Sequence, residues 1–301
     1  MTTSTPGPVT IEDLVAGQDV EGVFLCHDKT RARTRPPDRR PYLNLRLQDA
    51  TGSIGARLFD GFETYADGFD AGDAVRIVGI VQQRTEGLTI KLASIVRVEE
   101  AEAEALLPTS HRDHDDLDGR LEFLTSEVFH EGYVALLDLF LADGRFREEL
   151  RRAPCTRKGH YAYRGGLLEH TVAVAMLAHE LCTQHPTLNS DLLITAAVLH
   201  DIGKTRAFTY GPRFELSLEG RLLDHAAVGA DMVRHVARQV SGLAADDLLA
   251  LIHCIAMHHL PPGERFQLPE AKALYLINTL DTGVKGELEH RPHVTVARPR
   301  A

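Results

Sequence analysis

In "LLITAAVLHDIGKT", residues 192–205, an apolar pattern of helical period runs directly into a histidine and an aspartate, with Leu193, Ala197, His200, Asp201 and Lys204 on one face. Four other stretches do the same. In "GGLLEHTVAVAMLAHEL", His170 shares a stripe with Val174, Leu177 and Leu181. In "GRLLDHAAVGADMV", His225 falls between Leu222 and Met232, and in "LLALIHCIAMHHL", His258 and His259 follow Leu251 and Ile255 by helical steps. In "AKALYLINTLDTG", Asp281 continues the line of Leu274 and Ile277. Apolar stripes turn towards a core, so any fold of this chain must bury five imidazoles and two carboxylates.

One inward histidine is usually a hydrogen-bonded core residue. Seven such groups are another matter, because each ionised group buried without countercharge costs roughly several kcal/mol. A buried cation resolves that cost. Imidazole and carboxylate without thiolate favour Mn, Fe, Co, Ni or Zn over Ca or Mg. Seven candidate ligands exceed what one tetrahedral ion needs, so two divalent ions are expected, and affinity order alone does not select among these metals. The adjacent His200-Asp201 pair suits two ions, since a carboxylate can bridge. Cys26, Cys155, Cys182 and Cys254 form no CxxC pair, which suggests neither a thiolate zinc site nor a disulfide framework and fits reduced thiols in a cytoplasm. "MTTSTPGPVTIEDL" has no signal-peptide character and no stretch reaches a membrane span, so a cytoplasmic protein with no membrane partner is expected.

From Val20 to Val98 the period changes to two. "VEGVFLC", "YLNLRLQD", "SIGARLF", "AVRIVGIVQQ" and "LTIKLASIVRV" read as five strands, and Leu43, Leu45 and Leu47 face opposite to Asn44, Arg46 and Gln48. With the short helix "GFETYADGF" between the third and fourth strands, this predicts an OB-fold barrel. Between the first two strands, "DKTRARTRPPDRR" carries Lys29, Arg31, Arg33, Arg35, Arg39 and Arg40 against two acids, a local +4 on a chain of net charge −10. Read as a flexible loop, it is placed to follow the phosphates of single-stranded RNA or DNA. The acidic run after Val98 marks a boundary. The fold class is therefore multi-domain α+β, a five-stranded OB-fold β-barrel followed by an all-α domain. Residues 1–104 are the barrel, 105–160 a helical connector, 161–288 the helical domain and 289–301 a tail, with "HVTV" a final strand.

His170, then His200-Asp201, then Asp281, in the context "HDIGK", resembles the H…HD…D signature of the HD phosphohydrolase superfamily. With a barrel ahead of "YRGGLLEHT", "LHDIGK", "LLDHAAVG", "MHHL" and "LINTLD", the chain resembles the YhaM-type 3′-to-5′ exoribonucleases over nearly its whole length. Two departures stand out: Tyr161 replaces the second of a paired histidine before "AYRGG", and Leu260 replaces a glycine after "HH". The resemblance implies His170, His200, Asp201 and Asp281 around one ion, and Asp201, His225, His258 and His259 around the other. It implies hydrolysis by activated water, with Asp201 and Lys204 catalytic, Lys204 reaching a phosphate oxygen, and Arg164 as a second phosphate contact. A phosphohydrolase of small nucleotides or cyclic dinucleotides, and a non-catalytic nucleic-acid-binding regulator, are the competing readings. A homo-oligomer is compatible with all three.

Overall fold

The alternating pattern closes on itself. The computed structural model describes residues 9–49, 51–85, 87–99, 106–157, 159–210, 213–259 and 265–290. Strands β1 (Asp19–Arg33), β2 (Pro41–Gln48), β3 (Ser53–Leu58), β4 (Ala74–Arg84) and β5 (Gly87–Arg97) form a closed barrel in the order β1-β2-β3-β5-β4, with β4 pairing back to β1. Only β3 and β5 run parallel, and helix α1 (Phe62–Tyr65) links β3 to β4. This is the expected OB-fold barrel. Leu43, Leu45 and Leu47 are buried while Asn44 and Arg46 are exposed, and Phe24, Leu58, Ile77, Ile90 and Ile95 complete the interior. The ladder shifts register at Gly79, where a Cβ would stand 2.6 Å from the Lys91 carbonyl oxygen, so glycine lets β4 and β5 close.

The basic segment is not the flexible loop expected from its composition. β1 continues through it, pairing Lys29 with Leu45, Arg31 with Leu43 and Arg33 with Pro41, so only residues 34–40 turn. Backbone hydrogen bonding to an alternating partner strand outweighed the charge repulsion that suggested disorder.

The described residues fall into two compact units, one running to Pro108 with Tyr210 and residues 213–215, the other from Thr109 to Thr209 and from Leu216 onward. The second unit contains α2 (His114–Ser126), α3 (Glu131–Ala142), α4 (Gly144–Arg152), α5 (Gly166–Gln184), α6 (Ser190–Leu199), α7 (Lys204–Ala207), α8 (Leu218–Leu222), α9 (His225–Ala237), α10 (Ala245–Met257) and α11 (Pro269–His290). A short two-stranded piece, β6 (Phe208–Thr209) with β7 (Glu215–Leu216), follows α7. Helices α2 to α4 are no mere connector: Leu117, Leu121, Leu124, Tyr133, Leu136 and Phe140 share one apolar cluster with α5, α6, α10 and α11. The "HVTV" segment, the tail beyond 290 and Leu260 lie outside the described residues.

Helix α6 is the axis of this unit. Asn189 caps it by accepting from the Leu192 amide at 3.0 Å, and every residue from Leu192 to Leu199 is buried, so the helix is apolar all round rather than on one face. It ends at Leu199, one step before His200 and Asp201. The single continuous face drawn through Lys204 is thus broken, since Lys204 opens α7. Likewise Leu222 is exposed and belongs to α8, while His225 is the first residue of α9, so the two share no stripe. Gly203 makes the join possible: a Cβ there would lie 2.0 Å from the His225 carbonyl oxygen and 2.7 Å from the Gly229 nitrogen. Only a residue without a side chain lets the turn after Asp201 press against the start of α9.

Gly203→Ala is therefore expected to destabilise the protein by at least about 1–3 kcal/mol through overpacking. Gly283→Ala, at an exposed helical position with open space around it, should stabilise by roughly 0.5–1 kcal/mol. Urea titrations of the two variants check the contrast, and equal behaviour would refute the close-approach explanation.

Candidate functional site

Ligand atoms from the expected helices meet around one carboxylate. Asp201 is 1% exposed, and its two oxygens face two different groups. On the Oδ2 side, Nε2 of His170 and Nε2 of His200 each stand 3.4 Å away. On the Oδ1 side, Nε2 of His225 stands at 3.2 Å and Nε2 of His258 at 3.3 Å. Asp201, His225, His258 and His259 offer ligand atoms all within 4.8 Å of one another, as do Asp201, His170 and Cys155. Five separate segments converge: the loop at Cys155, α5, the end of α6, the start of α9 and the end of α10.

The side chains are held in ligand form. Nδ1 of His200 lies 2.8 Å from the Ala197 carbonyl and Nδ1 of His258 lies 2.6 Å from the Ile255 carbonyl, so each Nδ1 carries the proton and each Nε2 presents a lone pair. Nδ1 of His170 faces the Asp281 carboxylate at 2.7 Å, with the same consequence. Nε2 of His170 then faces Nε2 of His200, lone pair to lone pair, at 3.2 Å, and Nε2 of His258 stands 3.3 Å from Nε2 of His225. Asp201 Oδ1, fully buried, has no hydrogen-bond partner. Converging acceptors and an orphaned carboxylate oxygen are what a cation satisfies, so the donor set fits divalent metal.

The electrostatics agree. Burial pushes the Asp201 carboxyl up, but Lys204 and the imidazoles of His200 and His170 hold it well below the usual carboxylate range. Burial takes the His200 imidazole down to about 4, leaving it neutral, whereas His259, expected inside from its helical stripe, is exposed. Burial also pulls His170 down, but its bonds to Asp201 and Asp281 overcome this and leave it raised, another sign that positive charge is favoured here.

Two of the expected residues are already engaged by neighbours. Asp281 Oδ2 stands 2.7 Å from Nδ1 of His170, the nitrogen that faces away from Asp201. Lys204 does not project into open space for a phosphate. Its ammonium sits 2.5 Å from Asp201 Oδ2 and 3.4 Å from Cys155 Sγ, and it is buried. Arg164 has a buried Nε without a hydrogen-bond partner, and no contact ties it to Asp201. Sequence reasoning missed Cys155, whose isolation from other cysteines hid it, and Glu169. Glu169 accepts from Ser110 at 2.6 Å, Tyr163 at 2.9 Å and Lys285 at 2.9 Å, which ties α5 to α11 beside His170. Burial pushes its carboxyl up, but these three bonds leave it lowered.

On the barrel, the basic residues divide. Lys29 is committed to the Phe69 carbonyl and to Asp70, Arg31 to Asp67 at 3.1 Å, and Arg40 to Asp60. Arg33, Arg35 and Arg39 are exposed, and no side-chain partner engages them among the described residues. A groove of about 710 Å³ lies instead along β1, β2 and β3 and the adjoining ends of β4 and β5, lined by Lys29, Asn44, Arg46, Arg57, Arg84 and Thr89 among others. Beside it Tyr42 and Phe59 stack at 4.8 Å, with Arg57 over the first ring and Arg40 over the second. Strand parity puts Tyr42, Asn44 and Arg46 on one face of β2, and the pairing of Asn44 with Arg57 and Arg46 with Gly55 puts those β3 residues on the same face of the sheet. That alternation was legible; the cationic use of its outward positions was not.

Residues 167–283 match the HD domain family. The chain is 26% identical over 276 residues to the 3′-5′ exoribonuclease YhaM of Oceanobacillus iheyensis, covering 88% of this chain and 84% of that protein. It is 26% identical over 278 residues to the protein of the same name from Bacillus subtilis, at 88% and 85% coverage. Among solved structures, the second OB-fold domain of replication protein A from Methanococcus maripaludis matches 31% of this chain and 95% of its own, at 22% identity and a TM-score of 0.27.

Elemental analysis of purified variants tests the shared carboxylate. Asp201→Ala should bind neither ion, whereas His225→Ala should lose one and keep the other. Equal loss in both would contradict a carboxylate serving two sides.

Proposed function

We propose that this protein, whose residues 167–283 match the HD domain family, is a metal-dependent 3′-to-5′ exoribonuclease that hydrolyses phosphodiester bonds of single-stranded RNA. The observation that carries this reading is the pair of half-cages on either side of Asp201, joined in one chain to a barrel with a cationic groove. The relatives named 3′-5′ exoribonuclease support it, because they align with both halves of the chain. Two divalent ions, manganese first, would be held by His170, His200 and Asp201 Oδ2, and by Asp201 Oδ1, His225, His258 and His259.

Bound there, such ions lower the pKa of water and offset charge on the phosphate. The chain does the rest. Lys204 keeps Asp201 ionised, and the backbone carbonyls of Ala197 and Ile255 keep His200 and His258 in the tautomer that offers Nε2. No nearby side chain is poised to attack: burial raises the Cys155 thiol to about 12, and Lys204 is raised by Asp201 against the pull of burial. Water is therefore the nucleophile. The groove residues Arg46, Arg57 and Arg84 supply phosphate contacts, and the exposed Arg33, Arg35 and Arg39 extend them.

No helix among the described residues is long and apolar enough to cross a membrane, and Cys26, Cys155 and Cys254 are buried free thiols. Cytoplasmic RNA is the substrate pool this favours.

With Mn²⁺ and a 5′-labelled oligoribonucleotide, the enzyme should give a descending ladder, chelation should stop it, and Mn²⁺ should restart it. Turnover of mononucleotides with RNA left intact would reject the reading. Replacing Arg46 and Arg57 by alanine should weaken RNA binding and reduce the slope of log K against log salt by about 0.7 for each phosphate that is no longer neutralised. Hydrolysis of a small chromogenic phosphodiester should be unchanged.

A further inference from the structure

Tyr161 stands where the sequence departs from a paired histidine, and its surroundings show an unusual amount of constraint. It is a non-glycine residue at φ 54°, in the left-handed region, yet it is 3% exposed. Such a conformation persists only where neighbours over-determine it. Here they do. Its carbonyl accepts from the Cys155 amide at 3.0 Å, its amide donates to Glu289 at 3.1 Å, and Gly166 leaves room for it, since a Cβ there would lie 2.1 Å from the Tyr161 carbonyl oxygen.

The backbone strain aims one group. The Tyr161 hydroxyl donates to Asp281 Oδ1 at 3.0 Å, while Asp281 Oδ2 bonds Nδ1 of His170 at 2.7 Å. The ring packs 5.4 Å from the His170 ring, and the Lys285 ammonium sits 4.6 Å over its other side. A carboxylate oxygen only accepts, so in this pair the phenol hydroxyl is the donor. Neighbouring His160 makes no such contact; its ring meets only the edge of Tyr161 at 6.2 Å.

We propose that Tyr161 is a positioning residue for the metal centre: its hydroxyl fixes the Asp281 carboxylate, which holds the proton of His170 on Nδ1 and turns Nε2 towards Asp201. The inference rests on the metal reading of the cluster and adds to it a residue that touches neither the ion nor the substrate.

The test uses the full chain with Tyr161→Phe, which removes the hydroxyl and keeps the ring. Two readouts are taken: Mn²⁺ affinity by calorimetry, and the tautomer of His170 by imidazole ¹⁵N NMR at alkaline pH without metal. About tenfold weaker Mn²⁺ binding is expected, with His170 passing from one tautomer to a mixture. In the Asp281→Ala background, the same change should cost no further affinity, because the route through Asp281 is already cut. Affinity within twofold of the parent, or weakened affinity with the tautomer unchanged, would overturn the proposal. The tautomer readout needs no metal, so a parent protein that bound no Mn²⁺ would count against the metal reading while the NMR still decided the role of Tyr161.

Discussion

A carboxylate buried to 1% exposure with one oxygen left unpartnered is the constraint around which the helical unit is arranged. Such a group is costly unless opposite charge or donors surround it. Lys204 and the imidazoles of His170 and His200 answer Oδ2, but Oδ1 meets two histidines whose geometry offers no hydrogen bond. Gly203, by removing a side chain, lets α9 approach closely enough to place His225 there. Asn189 and the all-apolar body of α6 fix where that helix ends and hence where Asp201 stands. The fold is organised so that His170, His200, Asp201 and His258 sit buried against an apolar core while His225 and His259 reach its surface.

Much of this was legible because burial and helical period are local properties. The stripes leading to His170, to His200-Asp201 and to His258-His259 end at the cluster as expected. What the period could not show was where helices break. His225 opens α9 instead of lying within a longer helix, and Lys204 begins α7. The hydrogen bonds across the core were equally invisible: Asp281 lies in line with Leu274 and Ile277, but the period does not show that its carboxylate meets the far side of the His170 ring. Helical phase specifies a face, and two nitrogens on one imidazole specify different neighbours. Cys155 and Glu169 entered no pattern because their partners lie tens of residues away in sequence.

On the barrel, period-two alternation specified strands, interior and closure. It misjudged the basic segment, where charge density suggested a loop and strand pairing won through Arg33. That outcome changes the electrostatic picture. Lys29, Arg31 and Arg40 are neutralised by local acids, so the cationic surface rests on Arg46, Arg57 and Arg84 in the groove and on three exposed arginines in and beside the turn. On a chain of net charge −10 this matters, because at physiological salt a Debye length of about 8 Å lets local charge prevail over distant carboxylates.

The central claim, that Asp201 joins two cation sites through its two oxygens, is tested most directly by anomalous diffraction from crystals grown with Mn²⁺ and measured at the manganese edge. Two peaks are expected, one against Oδ2 among His170 and His200, the other against Oδ1 among His225, His258 and His259. A single peak on one side of the carboxylate, or none near Asp201, would contradict it.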